Sequence, residues 1–304
     1  MSHLDKYKGI IPAFYACYDE EGNISPERIE MLVAHYIKVG VKGLYVGGSS
    51  GECIYQTVAE RKLVLEHVMK VAAGKLTVIA HVAAPSTRDS IELAKHAEAV
   101  GVDALSAIPP IYFSLPEHAI EAYWTEIMQS TNLDFIIYNI PQTTNYSLST
   151  GLYLRMLAHE QVVGVKNSSM PVQDIFNFKH YASKDVVIFN GPDEQFVAGR
   201  LMGADAGIGG TYGVMPELFL AANQAITTGT LHLAQKIQYR IDDIIFKMVS
   251  GHGNLYDIMK CILAKNGLEI GRARLPLPRA NAEDQALIDE CHQLIEDAKA
   301  EFAN

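Results

Sequence analysis

The sequence predicts a (β/α)₈ barrel, a TIM barrel, with a C-terminal helical extension. Eight short apolar stretches alternate with stretches whose apolar residues follow helical spacing, at a period of roughly thirty residues. Such alternation is typical of βαβ units with right-handed crossovers, and eight units close into a barrel of about 250 residues. An open doubly wound sheet is the alternative. Its dinucleotide-binding form has no support, because no GxGxxG motif follows the first strand.

The first βα unit carries recognisable start and stop signals. A strand is predicted over residues 9–16, and a turn follows at residues 19–23. Ser25 is expected to cap the next helix and Pro26 to occupy its first position, because a capping hydroxyl and a prolyl ring both suit a helix start. Gly40 is expected to end this helix.

The later elements repeat that order. Strands are predicted over residues 42–46, 76–81, 104–108, 135–139, 162–166, 186–189 and 206–209, and helices over residues 58–73, 86–100, 116–130, 148–159, 172–181 and 194–202. Three further helical segments are expected at about 216–249, 254–266 and 283–302. We take residues 1–215 as the barrel with its site, and residues 216–304 as the last barrel helix and an extension packed on it in one structural unit.

Composition excludes several classes of partner. The net charge of −10 argues against nucleic acid, whose binding depends on Lys and Arg neutralising phosphates. The N-terminus is polar, and no stretch reaches the ~18 apolar residues of a membrane span. The four cysteines are scattered without metal-ligand spacing. We therefore expect a cytoplasmic protein with reduced thiols, no bound metal and no membrane or nucleic-acid partner.

Lys166 is the residue that most needs an explanation. It ends the apolar stretch 162–166, which is typical of a strand buried on both faces. At the carboxyl edge of a parallel barrel, where sites are built, a lysine loses solvation and becomes a better nucleophile towards a carbonyl. The alternative is a strand-end lysine paired with a carboxylate.

If the barrel closes, the residues at the carboxyl ends of its strands and in the loops just after them surround one opening, the mouth of the barrel. These are Ser49, Ser50, Tyr112, Tyr138, Lys166, Asp193, Glu194, Gly209, Gly210 and Thr211.

Each of these features has a structural and a functional interpretation. The turn over residues 47–52 offers N–H groups and hydroxyls suited to a carboxylate or phosphate, or is only a turn. Tyr138 packs in the core or shuttles a proton beside an amine. Asp193 and Glu194 cap the next helix or bind a ligand. His81 is interpreted as a satisfied strand-end histidine, because no second histidine has ligand-like spacing.

Five motifs carry a family resemblance. They are GLYVGGSSGE at residues 43–52, YNIP at 138–141, GVK at 164–166, GPDE at 191–194 and GIGGTY at 207–212. In kind and order they resemble the dihydrodipicolinate synthase/N-acetylneuraminate lyase family, and they cover the barrel from end to end.

The resemblance implies a class I aldolase, usually a homotetramer, that forms a Schiff base with pyruvate and needs no metal or cofactor. It implies that the amine of Lys166 forms the imine and that Tyr138 transfers protons. Ser49 and Ser50 would hold the pyruvate carboxylate, with Ser49 also counted as catalytic. Tyr112 matches a tyrosine that completes the proton relay, in some members across a subunit interface. A protonated imine is an electron sink for the enamine that forms when the C3–C4 bond breaks.

The same motifs imply a set of substrate contacts: Ser49, Ser50, Ser168, Gly191, Asp193, Glu194, Gly209 and Gly210. Synthases of the family commonly follow YNIP with an arginine that binds the second substrate, and residues 142–144 are Gln-Thr-Thr. The acidic pair 193–194 resembles the lyases, where it receives the hydroxyls of a polyol chain. Three positions differ from the lyase pattern, namely Ser168, Pro192 and Gly210, and each concerns substrate choice.

The implied reaction is therefore cleavage of N-acetylneuraminate to pyruvate and N-acetylmannosamine. Condensation of pyruvate with aspartate semialdehyde, and cleavage of another 2-keto-3-deoxy sugar acid, are the alternatives within the family. A non-catalytic barrel that binds a keto acid and regulates a partner is the alternative from a different class. A metal-dependent barrel aldolase is disfavoured, because the sequence lacks a ligand set.

Overall fold

A ring of eight parallel strands forms the centre of the protein, as seen in a computed structural model that describes residues 2–303. The strands are β1 Ile10–Pro12, β2 Gly43–Val46, β3 Thr77–His81, β4 Ala104–Ala107, β5 Asp134–Asn139, β6 Val162–Asn167, β7 Val187–Asn190 and β8 Ala206–Gly209. From β2 to β8 each strand pairs with the next one along the chain, and β1 pairs with β8. A bridge between Ala13 and Tyr45 joins the first two strands, so the predicted barrel is confirmed.

Twelve α-helices lie within the described residues. They are α1 Pro26–Val39, α2 Val58–Ala72, α3 Thr87–Val100, α4 Glu117–Gln129, α5 Pro141–Thr144, α6 Thr150–Leu157, α7 Gln173–His180, α8 Phe196–Leu201, α9 Pro216–Thr227, α10 Leu231–Val249, α11 Leu255–Lys265 and α12 Gln285–Phe302. The predicted caps of the first helix are confirmed, since the Ser25 hydroxyl accepts a hydrogen bond from Arg28 N and Gly40 ends α1. Among residues 2–303, no helix is both long and apolar enough to cross a membrane.

Several element boundaries differ from the prediction. The single helical segment expected at 216–249 is two helices, because the chain turns at Gly229, where φ is +77°. Strand β1 spans three residues, not the eight of 9–16. The helix expected at 194–202 begins with a 3₁₀ turn, Asp193–Gln195. The short helix α5 and the N-terminal 3₁₀ turn His3–Tyr7 were not predicted, because neither carries an amphipathic period long enough to recognise.

Apolar side chains fill two layers. The larger layer lies between the strands and the surrounding helices, and the smaller one lies inside the barrel. The inner layer includes Tyr7, whose hydroxyl donates to a carboxylate oxygen of Asp134 at 2.6 Å and covers the amino end of the strands.

The four cysteines are free thiols, as expected from their spacing. The helices of the extension pack on the barrel and on one another, with α10 contacting α9, α11 and α12. The division of the chain at residue 215 stays a prediction.

Candidate active site

Lys166 lies near the end of β6 in register with Tyr138 on β5, so both side chains enter the barrel at the same level. The buried strand predicted around it is confirmed, since all six residues of β6 are buried. Lys166 Nζ donates to Ser168 Oγ at 3.2 Å and lies 3.6 Å from the centroid of the Tyr138 ring. The side chain is only 4% exposed.

Burial lowers the pKa of the Lys166 amine to about 7, and the nearby Asp193 opposes this shift. The lysine forms no ion pair with any carboxylate of the described residues, so the strand-end ion pair considered as an alternative is not what the structure contains. Near neutral pH a large share of the amine is therefore uncharged and able to attack a carbonyl carbon.

Tyr138 is buried beside the amine, and its hydroxyl is a proton donor at neutral pH. Burial raises the pKa of this phenol to about 12, although hydrogen bonding with Ser168 and Ser49 acts in the opposite direction. The Ser168 hydroxyl thus interacts with both the amine and the phenol. A proton can pass between the two groups through that hydroxyl.

The turn after β2 brings Ser49 and Ser50 to the same cavity. Gly51 N donates to Gly48 O and Glu52 N donates to Ser49 O, which closes the turn. The N–H groups of Ser49 and Ser50 have no hydrogen-bond acceptor within residues 2–303 and are free for a ligand. Two adjacent free N–H groups and two hydroxyls suit a carboxylate.

Asp193 lies in the site beside the turn that follows β8. Its Oδ2 accepts from Thr211 N at 2.7 Å and from Thr211 Oγ1 at 2.6 Å, while its buried Oδ1 has no partner in the described chain. Burial raises the pKa of this carboxyl to about 7. No side chain caps the turn Asp193–Gln195, so a capping role is not observed. Oδ1 is an acceptor that a ligand hydroxyl could satisfy.

Two of the three predicted glycines lie where a side chain would collide with residues of the site. A Cβ at Gly191 would lie 2.0 Å from Ser168 Oγ, and one at Gly209 would lie 1.9 Å from Asp193 Oδ1. At Gly210 the nearest atom, Ser50 Oγ, would lie 3.2 Å away. The first two glycines therefore allow Ser168 and Asp193 to occupy their positions.

These groups line one cavity of about 330 Å³. Ten predicted residues line it: Ser49, Ser50, Tyr138, Lys166, Ser168, Gly191, Asp193, Glu194, Gly210 and Thr211. Gly209 lies beneath Asp193, outside the lining. Tyr112 is 94% exposed on a loop, with a φ of +83°, and this chain by itself does not bring it to Lys166.

Sequence reasoning missed part of the lining. Ile245 at the end of α10, and Leu255 and Tyr256 at the start of α11, enter the cavity from the extension. No motif marks them, since the apolar spacing of their helices predicts only a packed face. His81, in contrast, is satisfied as predicted, with Nδ1 at 2.7 Å from Gly47 O and Nε2 accepting from Ile108 N at 3.4 Å. Burial lowers the pKa of His81 to about 3, so the ring is neutral.

Within the part of the chain that the structure describes, no group of three or more His, Cys, Asp or Glu side chains is arranged to hold a metal ion. The groups that are present, a buried amine at the carboxyl end of a barrel strand and a phenol beside it, are those of a lyase that works through a lysine imine, a class I aldolase. The chain belongs to the dihydrodipicolinate synthetase family, whose model matches residues 6–296.

Individual relatives agree with this assignment. The chain is 58% identical to an N-acetylneuraminate lyase of Mediterraneibacter gnavus, over 99% of this chain and 96% of the relative. It is 33% identical to an N-acetylneuraminate lyase of Rhizobium meliloti, over 94% of each chain. A solved structure of a catalytic lysine mutant of the Ruminococcus gnavus sialic acid aldolase superposes with a TM-score of 0.98 at 58% identity, covering 99% of this chain and 100% of that one.

Proposed function

We propose that this protein cleaves N-acetylneuraminate to pyruvate and N-acetylmannosamine through an imine on Lys166. One observation carries the proposal: Lys166, Tyr138, Ser49 and Ser50 all line one cavity, and the N–H groups of the two serines have no acceptor in the described residues. The names of the two lyase relatives and of the sialic acid aldolase structure support the choice of substrate.

The first step joins the Lys166 nitrogen to the keto carbon of the open-chain substrate. Nζ attacks C2, and the former keto oxygen leaves as water after taking up one proton from the amine and one proton from the Tyr138 phenol. A protonated imine forms, and Tyr138 is left as a phenolate that can accept a proton in the next step. The substrate carboxylate lies against Ser49 and Ser50, whose N–H groups have no other acceptor in the described residues. This contact fixes C2 over the amine, and holding the reacting atoms in place removes much of the entropic barrier.

Cleavage then moves electrons into that imine. A proton leaves the C4 hydroxyl towards the relay of Tyr138 and Ser168, the C3–C4 bond breaks, and the aldehyde of N-acetylmannosamine forms. The bonding electrons make the C2–C3 double bond of an enamine, while the imine nitrogen becomes neutral. Protonation at C3 and hydrolysis of the imine then release pyruvate and free Lys166.

The acidic side of the cavity accounts for a hydroxylated substrate. Asp193 Oδ1 is a buried acceptor without a partner among the described residues, and Glu194 also lines the cavity. Sugar hydroxyls would donate to these oxygens, and a donor for a buried acceptor is worth more than one for a solvated acceptor. A cavity of about 330 Å³ is within the usual range for small-molecule sites.

The lining also bears on the alternatives. Lys166 is the only cation among the described residues that line the cavity. A second carboxylate, such as that of aspartate semialdehyde, would enter without a cationic partner, and a carboxylate buried unpaired is costly. The lining therefore favours the lyase reaction over the synthase reaction as the function of this protein. A purely regulatory keto-acid binder would have no use for the amine or the phenol.

We also propose that the protein is a cytoplasmic homotetramer in which Tyr112 of one subunit completes the proton relay of a neighbour. Tyr112 and Phe113 project from their loop, with their ring centroids 4.9 Å apart, and Ile54 is another exposed apolar side chain. Exposed aromatic residues of this kind are enriched where proteins contact one another.

A product assay tests the proposed function. The protein is incubated separately with N-acetylneuraminate, with 2-keto-3-deoxygluconate, and with pyruvate plus aspartate semialdehyde, and borohydride with pyruvate is used to trap the imine. We expect pyruvate release from N-acetylneuraminate, and a trapped adduct on Lys166 that Lys166→Met lacks. Pyruvate release from 2-keto-3-deoxygluconate alone would overturn the assignment of N-acetylneuraminate as the substrate. Full activity in Lys166→Met would overturn the imine mechanism.

A further inference from the structure

A fully buried ion pair joins the turn after β2 to the C-terminal extension. Lys260 Nζ on α11 lies 2.6 Å from Glu52 Oε1, and neither side chain has any exposed surface. The other carboxylate oxygen of Glu52 accepts from Arg274 N at 2.8 Å. Lys260 also donates to Arg272 O at 3.3 Å. The carboxylate of Glu52 therefore binds two groups of the C-terminal extension, which lie more than two hundred residues further along the chain.

Glu52 closes the turn that carries the free N–H groups. Its own N–H donates to Ser49 O at 2.9 Å. Its φ is +52°, a left-handed conformation that a side chain disfavours. A strained backbone of this kind persists only when its surroundings hold it in place. The Lys260 pair and the Arg274 N–H are the contacts that hold this side chain.

Stability alone gives a weak reason for an ion pair at this place. Two charges taken fully out of water lose their hydration, and well-packed apolar residues of similar volume are commonly as stable. What an ion pair adds is a defined geometry, because its distance and direction are fixed. The same helix supplies Leu255 and Tyr256 to the cavity, so α11 and the turn are already neighbours at the site.

We propose that Glu52 and Lys260 are positioning residues that hold the N–H groups of Ser49 and Ser50 at the place where the ligand carboxylate binds. The inference rests on the proposed function, since it assigns that turn to the carboxylate of pyruvate. It gives the C-terminal extension an indirect part in catalysis, because α11 holds in place a turn of the barrel that binds the substrate.

Pyruvate trapping separates this role from a structural one. Borohydride is added over a range of pyruvate concentrations to the wild type, to Lys260→Met and to the double variant Glu52→Gln/Lys260→Met. The double variant leaves no unpaired buried charge, and the amide oxygen introduced by Glu52→Gln can still accept from Arg274 N, so it is designed to fold. We expect its half-saturating pyruvate concentration to rise at least about tenfold, because small misplacements of binding groups have effects of this size, while maximal trapping is retained.

The control is Lys179→Met, which removes the partly buried ion pair to Asp205 near the start of β8 without touching the turn. It is expected to lower the unfolding temperature and to leave the half-saturating concentration unchanged. An unchanged half-saturating concentration in the folded double variant would overturn the inference. Absence of trapping in the wild type would instead overturn the proposed function, so the two failures are distinguishable.

Discussion

Lys166 Nζ lies over the face of the Tyr138 ring, 3.6 Å from the ring centroid, and both side chains line the same cavity. The negative face of an aromatic ring stabilises an ammonium group. Burial has the larger effect and lowers the pKa of the amine to about 7. The position of the lysine therefore keeps its two protonation states close in free energy near neutral pH, which suits a group that must be a neutral nucleophile and then a cationic imine.

The pH dependence of kcat/KM reports this balance in the free enzyme. We expect kcat/KM to rise with pH through about 7 as Lys166 loses its proton. The carboxylate of Asp193 raises the pKa of Lys166, so Asp193→Asn should move this rising limb to lower pH. Glu194→Gln is the matched comparison, because it removes another cavity carboxylate and is expected to leave the limb in place. An identical limb in all three proteins would contradict the assignment.

Stability should show the same titration. The folded pKa of Lys166 is about 7 against an ordinary value of 10.5, so between these pH values the unfolded chain binds more protons than the folded one. The contribution of Lys166 to the free energy of unfolding therefore rises with pH across this window. Above the window the amine is neutral in both the folded and the unfolded chain, and the contribution no longer changes. Urea denaturation of Lys166→Met and wild type from pH 6 to about 10 measures the difference. We expect the free energy of unfolding of Lys166→Met to exceed that of the wild type by the largest amount at the acidic end, and this difference to shrink as pH rises.

Tyr138→Phe keeps the ring and loses the hydroxyl. Packing and the contact of Lys166 with the ring face should persist, so the variant should fold and still trap pyruvate at long incubation. Cleavage should slow by about 10²–10⁴-fold, the usual contribution of a positioned proton-transfer group. Turnover and the extent of trapping are measured on the same preparation. Turnover near the wild-type rate would remove Tyr138 from the relay.

Two glycines of the cavity give a matched test of close packing. A Cβ at Gly191 would lie 2.0 Å from Ser168 Oγ and 2.7 Å from Asn167 O, so Gly191→Ala must displace Ser168 or the backbone. We expect a loss of about 1–3 kcal/mol in the free energy of unfolding, as for other overpacked sites, with slower turnover. Gly210→Ala meets its first neighbour at 3.2 Å and should have a smaller effect on both. Denaturation midpoints and kcat that rank the variants in the reverse order would contradict this prediction.

Tyr112 should act only between subunits. Its side chain is almost fully exposed in one chain, and it is not among the residues of that chain that line the cavity. Tyr112→Phe and Lys166→Met are each expected to be poorly active. Refolding the two variants together should recover activity. In a mixed assembly, Tyr112 of a Lys166→Met subunit can complete the site of a neighbouring subunit that carries Tyr112→Phe and an intact Lys166. If mixing recovers nothing while the assembled mass is unchanged, the shared relay is wrong.

Much of the site was predictable from short stretches of sequence. The apolar run before Lys166 indicates a buried strand, and the polar residues after each strand indicate the residues of the mouth, because parallel strands present their carboxyl ends together. Ser49, Tyr138 and Asp193 were identified in this way and line the cavity. Tyr112 was also identified, but its position in a single chain depends on a neighbour that the sequence does not describe.

By itself, the sequence determined the alternation of strands and helices and the lysine at the end of its strand, because these follow from local periodicity and from residue types at strand ends. It favoured a closed barrel over an open sheet, and the pairing of β1 with β8 decided for the barrel. Only the tertiary structure decided which parts of the extension reach the site: Tyr256 at the cavity wall, and Lys260 paired with Glu52. The reason is physical. A helical pattern specifies that one face is buried but not what lies against it, and the pKa of a buried amine depends on neighbours that come together only when distant segments pack.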